Sequence, residues 1–248
     1  MAASIAQPCR LPDVAAEFSR RPPCAVSRRR LYCRHVADDK KDEYNAAAVR
    51  DLYHGMAPEY ADRFGAELRA QDSDTAFLDT ALARLPDGPL LDVGCGPAQV
   101  SGYLLSRGRT AIGVDIAPGM LAAAARIVPA ARLIAGDLLA LPLRSASCAG
   151  AIASYSLHHL PRSMLGDALA GVRSVLKPGG VLIVITHGGS GEEWLDRPEG
   201  RIVVTKYSPA ELGGLLRDAG LIPEVTSTRL PRTGEYPADK IRISARRA

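Results

Sequence analysis

Leu90-Leu91-Asp92-Val93-Gly94-Cys95-Gly96-Pro97-Ala98-Gln99 decides the reading of this chain. An apolar run from Pro89 to Val93 passes through an acid into two glycines, and Val100 to Arg107 continues with the spacing of a helix. A strand that stops at Gly-x-Gly lets the backbone come close to a bound nucleoside. The helix that follows turns its free N–H groups and positive dipole end toward the same place. Glycine turns after strands are common, so the stretch takes its meaning from what surrounds it. Two further acids, Asp115 and Asp137, stand at or just beyond the ends of the next two apolar segments.

Outward from this stretch the chain alternates between two periods. Apolar, β-branched segments predict strands at 89–93, 111–115, 132–135, 149–154, 180–186, 221–228 and 240–246. Helical spacing predicts helices over 98–107, 118–127, 162–176 and 208–219. Such alternation predicts an α/β fold: a Rossmann-like α/β/α sandwich around a seven-stranded, mostly parallel sheet. Pro223 and Pro237 beside the final two strands predict an antiparallel ending.

In a doubly wound sheet Asp92, Asp115 and Asp137 gather at the carboxyl edge, where ligands bind. Asp115, about twenty residues past the glycine turn, suits both hydroxyls of a ribose and would repel a 2′-phosphate. Asp137 suits an exocyclic adenine amine, with the Leu138 N–H donating to the ring. Asp92 suits orienting the glycine loop or an ammonium. Each acid alone also reads as a cap or turn residue; three at successive strand ends point to one nucleoside. A dinucleotide is disfavoured, because Gln99 stands where Gly-x-Gly-x-x-Gly needs its third glycine.

Ahead of the sheet, Val49, Leu52, Tyr53, Met56, Tyr60 and Phe64 fall at helical spacing, with Pro58 permitting a break, and 75–85 reads as another helix. Residues 1–40 differ in kind. Seven arginines against Asp13 and Glu17 in 1–37, mixed with Pro, Ser and Cys, read as a disordered extension or an organelle-targeting leader. Residues 1–37 carry a formal charge of +5 in a chain of +4, which leaves the rest near neutral and argues against a nucleic-acid-binding face on the folded part. The expected layout is therefore an extension over 1–40 and one domain over 41–248 that begins with a helical lid, 41–86. No apolar run is long enough to cross a bilayer. Five scattered cysteines without a Cys-x-x-Cys pair suit a reducing compartment, the cytoplasm or an organelle reached by the leader.

Taken together, the motifs resemble those of class I S-adenosylmethionine-dependent methyltransferases, in the branch that modifies small molecules. Leu91-Asp92-Val93-Gly94-Cys95-Gly96 is similar to the family's glycine-rich first motif, Gly113 to Leu121 to its ribose loop, and Gly136-Asp137-Leu138 to its adenine loop. Leu176-Lys177-Pro178-Gly179-Gly180 resembles the turn into the family's fifth strand. The resemblance runs from about residue 50 to 248. It implies S-adenosyl-L-methionine as cofactor, held by Asp92, Gly94, Gly96, Asp115, Ile116, Met120, Asp137, Leu138 and Ser154, with Tyr60 of the lid on the donor's carboxylate. It also implies methyl transfer to an O, N or C atom of a small organic acceptor by in-line displacement.

Two departures accompany it. Ala98 stands where many members carry a third glycine, which is expected to fit if the backbone there is helical. Ala149 stands where the fourth strand often starts with Asp. Within Ala153 to Pro161, His158 and His159 are the only obvious proton acceptors beside the reacting methyl, and so the catalytic candidates; both also read as residues that shape the pocket. No His/Asp/Glu cluster has metal-ligand spacing. His187 to Trp194 is expected to be a glycine-rich loop, a second lid piece or plain surface, and Arg201 to Thr205 a possible extra strand. Two other activities fit the same motifs: an S-adenosylmethionine-binding cyclase that transfers no methyl, and a nucleic-acid-directed methyltransferase guided by the Arg-rich leader.

Overall fold

The computed structural model describes residues 44–65, 68 and 72–248; the extension expected over 1–40 lies outside the described residues. Helix α1 (Ala46–Gly55) starts at Asn45, whose side-chain oxygen accepts the N–H groups of Ala47 and Ala48. Helix α2 (Ala57–Phe64) follows directly, with Pro58 in its first turn, where a missing N–H costs nothing. Helix α3 (Asp72–Leu82) leads into the sheet.

From there the chain runs β1 (Leu90–Val93), α4 (Gln99–Ser106), β2 (Ala111–Asp115), α5 (Pro118–Ile127), β3 (Arg132–Ala135) and β4 (Cys148–Ser154). A single 3-10 turn (Leu157–His159) precedes α6 (Arg162–Val175) and β5 (Leu176–His187). A hairpin of β6 (Glu192–Arg197) and β7 (Gly200–Thr205) comes next, then α7 (Pro209–Asp218), β8 (Leu221–Arg229) and β9 (Lys240–Arg247). Ser208 and Glu211 close a reciprocal capping box at the start of α7.

Seven strands form one sheet in the order β3-β2-β1-β4-β5-β9-β8. β1 to β5 pair in parallel, and β9 lies antiparallel between β5 and β8. The expected seven-stranded sheet with its antiparallel ending is present. One face is covered by α6 and α7 through Leu165, Leu169, Val172, Leu212 and Leu216; the other by α3 and α4 through Leu78, Leu82, Val100 and Leu104. The strand order reverses between β1 and β4, which opens a crevice at the carboxyl edge of the sheet.

Part of the segment expected as a glycine-rich loop is strand. Trp194 pairs with Val203 and Leu195 with Ile202, while Glu192, Glu193 and Asp196 are exposed on the same strand. Those acids hide the strand from a reading by hydropathy; cross-strand apolar pairs hold it. Ile202 in turn packs on Ala48 and Val49 of α1. Behind α3, Asp74 receives Nε and Nη2 of Arg229 at 3.0 and 2.7 Å and Nη1 of Arg242 at 3.0 Å, and so ties that helix to β8 and β9.

Candidate active site

The crevice beside β1 holds a pocket that is partly open to solvent and lined by the ends of β1, β2 and β4 and by the turn after β3. Gly94 and Gly96 both take positive φ, 66° and 51°. The Gly94 N–H donates to Val114 O, which draws the turn across β2. A methyl at Gly94 would lie 2.4 Å from Ser156 Cβ, so only glycine lets the turn approach the segment after β4. Ala98 is also left-handed, φ 66°, at the N-cap of α4. The expectation of helical backbone there is overturned: alanine sits in the conformation that favours glycine and carries a strain of about 1 kcal/mol.

Ala98 has no side-chain oxygen to cap α4. Asp92 supplies one from the end of β1: its Oδ2 accepts the Ser101 N–H at 2.9 Å and the Ser101 hydroxyl at 2.7 Å. Burial pushes the Asp92 carboxyl up to about 7 against those two bonds. Asp115 closes β2 in the same manner. Its Oδ2 accepts the Gly96 N–H and its Oδ1 the Ala117 N–H, both at 2.8 Å, and burial again raises its pKa. Each oxygen has a second lone pair directed elsewhere. Asp137 bends the chain after β3 by accepting the Leu139 N–H at 2.9 Å.

One pocket joins Asp92, Gly94, Gly96, Asp115, Ile116, Met120, Asp137, Leu138, Ser154 and Tyr60 with His159. His158 is not in its wall. It is buried, its ring 4.0 Å from that of His159 and 5.0 Å from that of His187. The 3-10 turn is the reason. Successive residues project about 120° apart in such a turn, so neighbours cannot share a face. Burial first, then the charges around it, hold His158 well below the usual imidazole range.

His159 is fixed at both nitrogens. Val203 O can only accept, so at 3.0 Å it takes the Nδ1–H; Nε2 is then the acceptor, and Tyr53 donates to it at 2.6 Å. Burial lowers the imidazole to about 4, so it is neutral near pH 7.

Sequence reasoning missed several wall residues. Tyr44 lies near Asp137, and its phenol is pushed up to about 12 by burial and by that carboxylate. Tyr155 takes φ 51°, a left-handed conformation that is rare for an aromatic residue. Gln99 Oε1 and Ser156 Oγ are buried in the wall without a hydrogen-bond partner among the described residues. Buried polar atoms are ordinarily satisfied. Two orphaned oxygens beside a glycine cradle, and three carboxylates in one wall, fit a ligand that carries hydroxyls, an amine and an ammonium, as S-adenosylmethionine does. Gln99 had a signal in the sequence as the residue replacing a third glycine, and Tyr155 and Ser156 lie in the segment Ala153 to Pro161 expected beside the reacting methyl; Tyr44 had none.

An α/β/α sandwich with this pocket at its strand-order reversal defines a nucleoside-binding Rossmann-like enzyme. Residues 90–180 match the family model of the methyltransferase domain. An uncharacterized methyltransferase of Synechocystis sp. is 32% identical over 148 residues, 56% of this chain and 69% of that protein. A malonyl-[acyl-carrier protein] O-methyltransferase of Enterobacter lignolyticus is 30% identical over 142 residues, 56% of this chain and 53% of its own length. Among solved structures, the 1,6-didemethyltoxoflavin-N1-methyltransferase of Burkholderia thailandensis superposes with a TM-score of 0.67 at 24% identity, over 82% of this chain and 88% of that one. The chain belongs to the class I S-adenosylmethionine-dependent methyltransferases, and S-adenosyl-L-methionine is its cofactor.

Proposed function

We propose that this methyltransferase methylates a small organic acceptor that loses a proton in the reaction, and that His159 receives it through Tyr53. Bound in the pocket, S-adenosylmethionine supplies an electrophilic methyl group on a positively charged sulfur. Asp115 is assigned to the ribose hydroxyls and Asp137, with the Leu138 N–H, to the adenine edge. Gly94, Gly96, Ile116, Met120 and Ser154 form the walls. Asp92 holds the glycine turn and α4 in register and faces the donor's ammonium together with Gln99 Oε1 and Ser156 Oγ. Tyr60 is assigned to the donor's carboxylate.

Val49, Tyr53 and Tyr60 of α1 and α2 line the pocket and cover it against water, with the hairpin β6–β7 packed on α1 behind them, while α3 packs on the sheet. Alignment and exclusion of water are most of what an in-line displacement needs from a protein. The protein's own contribution to proton transfer falls to the Tyr53–His159 pair: the acceptor's proton passes to the Tyr53 oxygen as the Tyr53 proton passes to His159 Nε2, whose lone pair that hydroxyl already holds. The imidazolium that forms there takes the place of the positive charge the pocket held before transfer, so burial does not forbid it. His158 is given a packing role.

The observation that carries this reading is the single pocket joining the three acids and the glycine turn to His159. The relatives' names cover the malonyl group of an acyl-carrier protein and 1,6-didemethyltoxoflavin, so a small organic group, free or carried, is the common class. We place the enzyme in the cytoplasm; among the described residues no helix is long and apolar enough to cross a membrane. The test is a screen of small phenols, hydroxy acids, carboxylic acids and heterocyclic amines, read by S-adenosylhomocysteine formation and product mass. A product heavier by one methylene supports the reading. An acceptor converted without S-adenosylhomocysteine would make the chain a cyclase of the same fold.

A further inference from the structure

Tyr155 stands where the donor pocket meets a second group of aromatic and basic side chains. It lines the pocket, is half-buried and takes φ 51°. Holding a non-glycine residue at positive φ costs energy, and such positions collect where ligands are clamped. Its ring lies 5.1 Å from that of His187 at the end of β5, and the Tyr236 ring, from the loop between β8 and β9, lies 4.7 Å from the same imidazole. Lys240 Nζ, at the start of β9, is 5.8 Å from the centre of the Tyr155 ring and 5.9 Å from that of Tyr236. It donates to Tyr236 O at 2.8 Å and lies 3.4 Å from His187 Nδ1. Lys206 Nζ, after β7, stands 5.3 Å from the centre of the Tyr236 ring. His158 completes the group: its ring is 5.0 Å from that of His187, and its Nδ1 is buried without a hydrogen-bond partner among the described residues.

We infer that this group is the acceptor's subsite and that it takes an aromatic acid, the ring lying against Tyr155 and Tyr236 and the acid group drawn to Lys206 and Lys240. The inference rests on the donor pocket assigned above, which puts the transferable methyl beside the segment after β4. Tyr155 and Tyr236 are half-buried, so each keeps part of its surface for a ligand, and tyrosine rings favour a flat apolar body. Lys240 is buried, and a charge held out of water acts on a nearby anion more strongly than one at the surface. Its field is already felt in the group: burial and then the Lys240 charge hold His187 down at about 3. Of the acids nearby, Glu235 gives both oxygens to Arg229, at 2.7 and 2.8 Å, while Glu193, 3.3 Å from Lys206, is exposed and holds it weakly. The orphaned His158 Nδ1 is a buried polar atom of the kind a ligand satisfies. The acid group anchors the molecule. A hydroxyl or amine elsewhere on its ring takes the methyl from the sulfonium and gives up its proton to Tyr53 and His159.

The test is isothermal titration of the full-length protein, saturated with S-adenosylhomocysteine, with two matched pairs of probes: salicylate and salicylamide, 4-hydroxybenzoate and 4-hydroxybenzamide. Within each pair only the charge of the anchoring group changes. At least one acid should bind about 10- to 100-fold more tightly than its amide. Lys206→Met and Lys240→Met keep the length of the side chain and remove its charge, and each should reduce that preference by about 3- to 10-fold. Lys206 is partly exposed, so its variant remains informative where Lys240→Met fails to fold. Affinity for S-adenosylhomocysteine, titrated separately, should match the wild type in every folded variant. Amides that bind as well as the acids overturn the subsite, as does a wild-type complex that binds neither acid. An undiminished preference in Lys206→Met, or in folded Lys240→Met, overturns that lysine's part in it. Failure of the wild type to bind S-adenosylhomocysteine would instead sink the donor pocket itself.

Discussion

Replacing Asp115 by alanine removes the acid on which the donor assignment turns. Its carboxylate stands at the end of β2, accepts the N–H groups of Gly96 and Ala117, and lines the pocket. Two charge-assisted bonds to a ribose contribute about 2–4 kcal/mol together, so S-adenosylhomocysteine should bind about 30- to 700-fold more weakly. Folding is affected separately. Two backbone donors lose their acceptor, at about 0.5–1.5 kcal/mol each, and the thermal midpoint should fall by several degrees. Isothermal titration at a temperature where the variant stays folded keeps the two effects apart. Undiminished affinity in a folded Asp115→Ala protein would refute the ribose assignment, whatever its melting point.

Gly94→Ala should lose about 2–4 kcal/mol of stability, because positive φ and a contact of 2.4 Å with Ser156 Cβ act together; a urea melt within 0.5 kcal/mol of wild type would contradict the close approach. Asp74→Ala leaves Arg242 buried without its carboxylate while Arg229 keeps Glu235, and chemical denaturation should show a loss of about 3 kcal/mol, the low end for a broken buried pair. Acid sensitivity should follow three histidines, His158 and His187 buried and His159 partly buried. His158, His159 and His187 are all lowered by burial, so the unfolded chain binds protons first as pH drops below about 6.5, at a cost of about 2 kcal/mol per histidine at pH 5. Asp92, raised to about 7, acts in the opposite sense: its contribution is present at low pH and lost as pH rises from about 4 to about 7. Urea unfolding of Asp92→Asn should therefore show a steeper loss between pH 7 and pH 5 than wild type, and equal slopes would remove the buried-carboxylate argument.

The sheet was legible because its strands are short apolar runs closed by glycine or acid, a signal that needs no tertiary context. The donor pocket was legible for a related reason: strand ends in a doubly wound sheet converge, so Asp92, Asp115 and Asp137 had to approach one another. What depends on a few degrees of backbone was hidden. The 3-10 turn that places His159 in the pocket wall and His158 outside it has no signature in two identical adjacent residues. The left-handed Ala98 and Tyr155 break residue preference outright. Asp92 turned out to cap α4, a role readable only from the lack of a capping oxygen at Ala98. Arg201 to Thr205 was legible as a possible strand and is β7, but its partner β6 was not: β6 is held by pairing Trp194 with Val203 and Leu195 with Ile202, which does not show in its own hydropathy.

A crystal structure of the full-length protein with S-adenosylhomocysteine bears most directly on the account. It should show the ribose hydroxyls within hydrogen-bond reach of both Asp115 oxygens, the adenine amine at Asp137, and the amino-acid tail beside Gly94, Gln99 and Ser156. An adenosine bound away from Asp115 and Asp137 would contradict it.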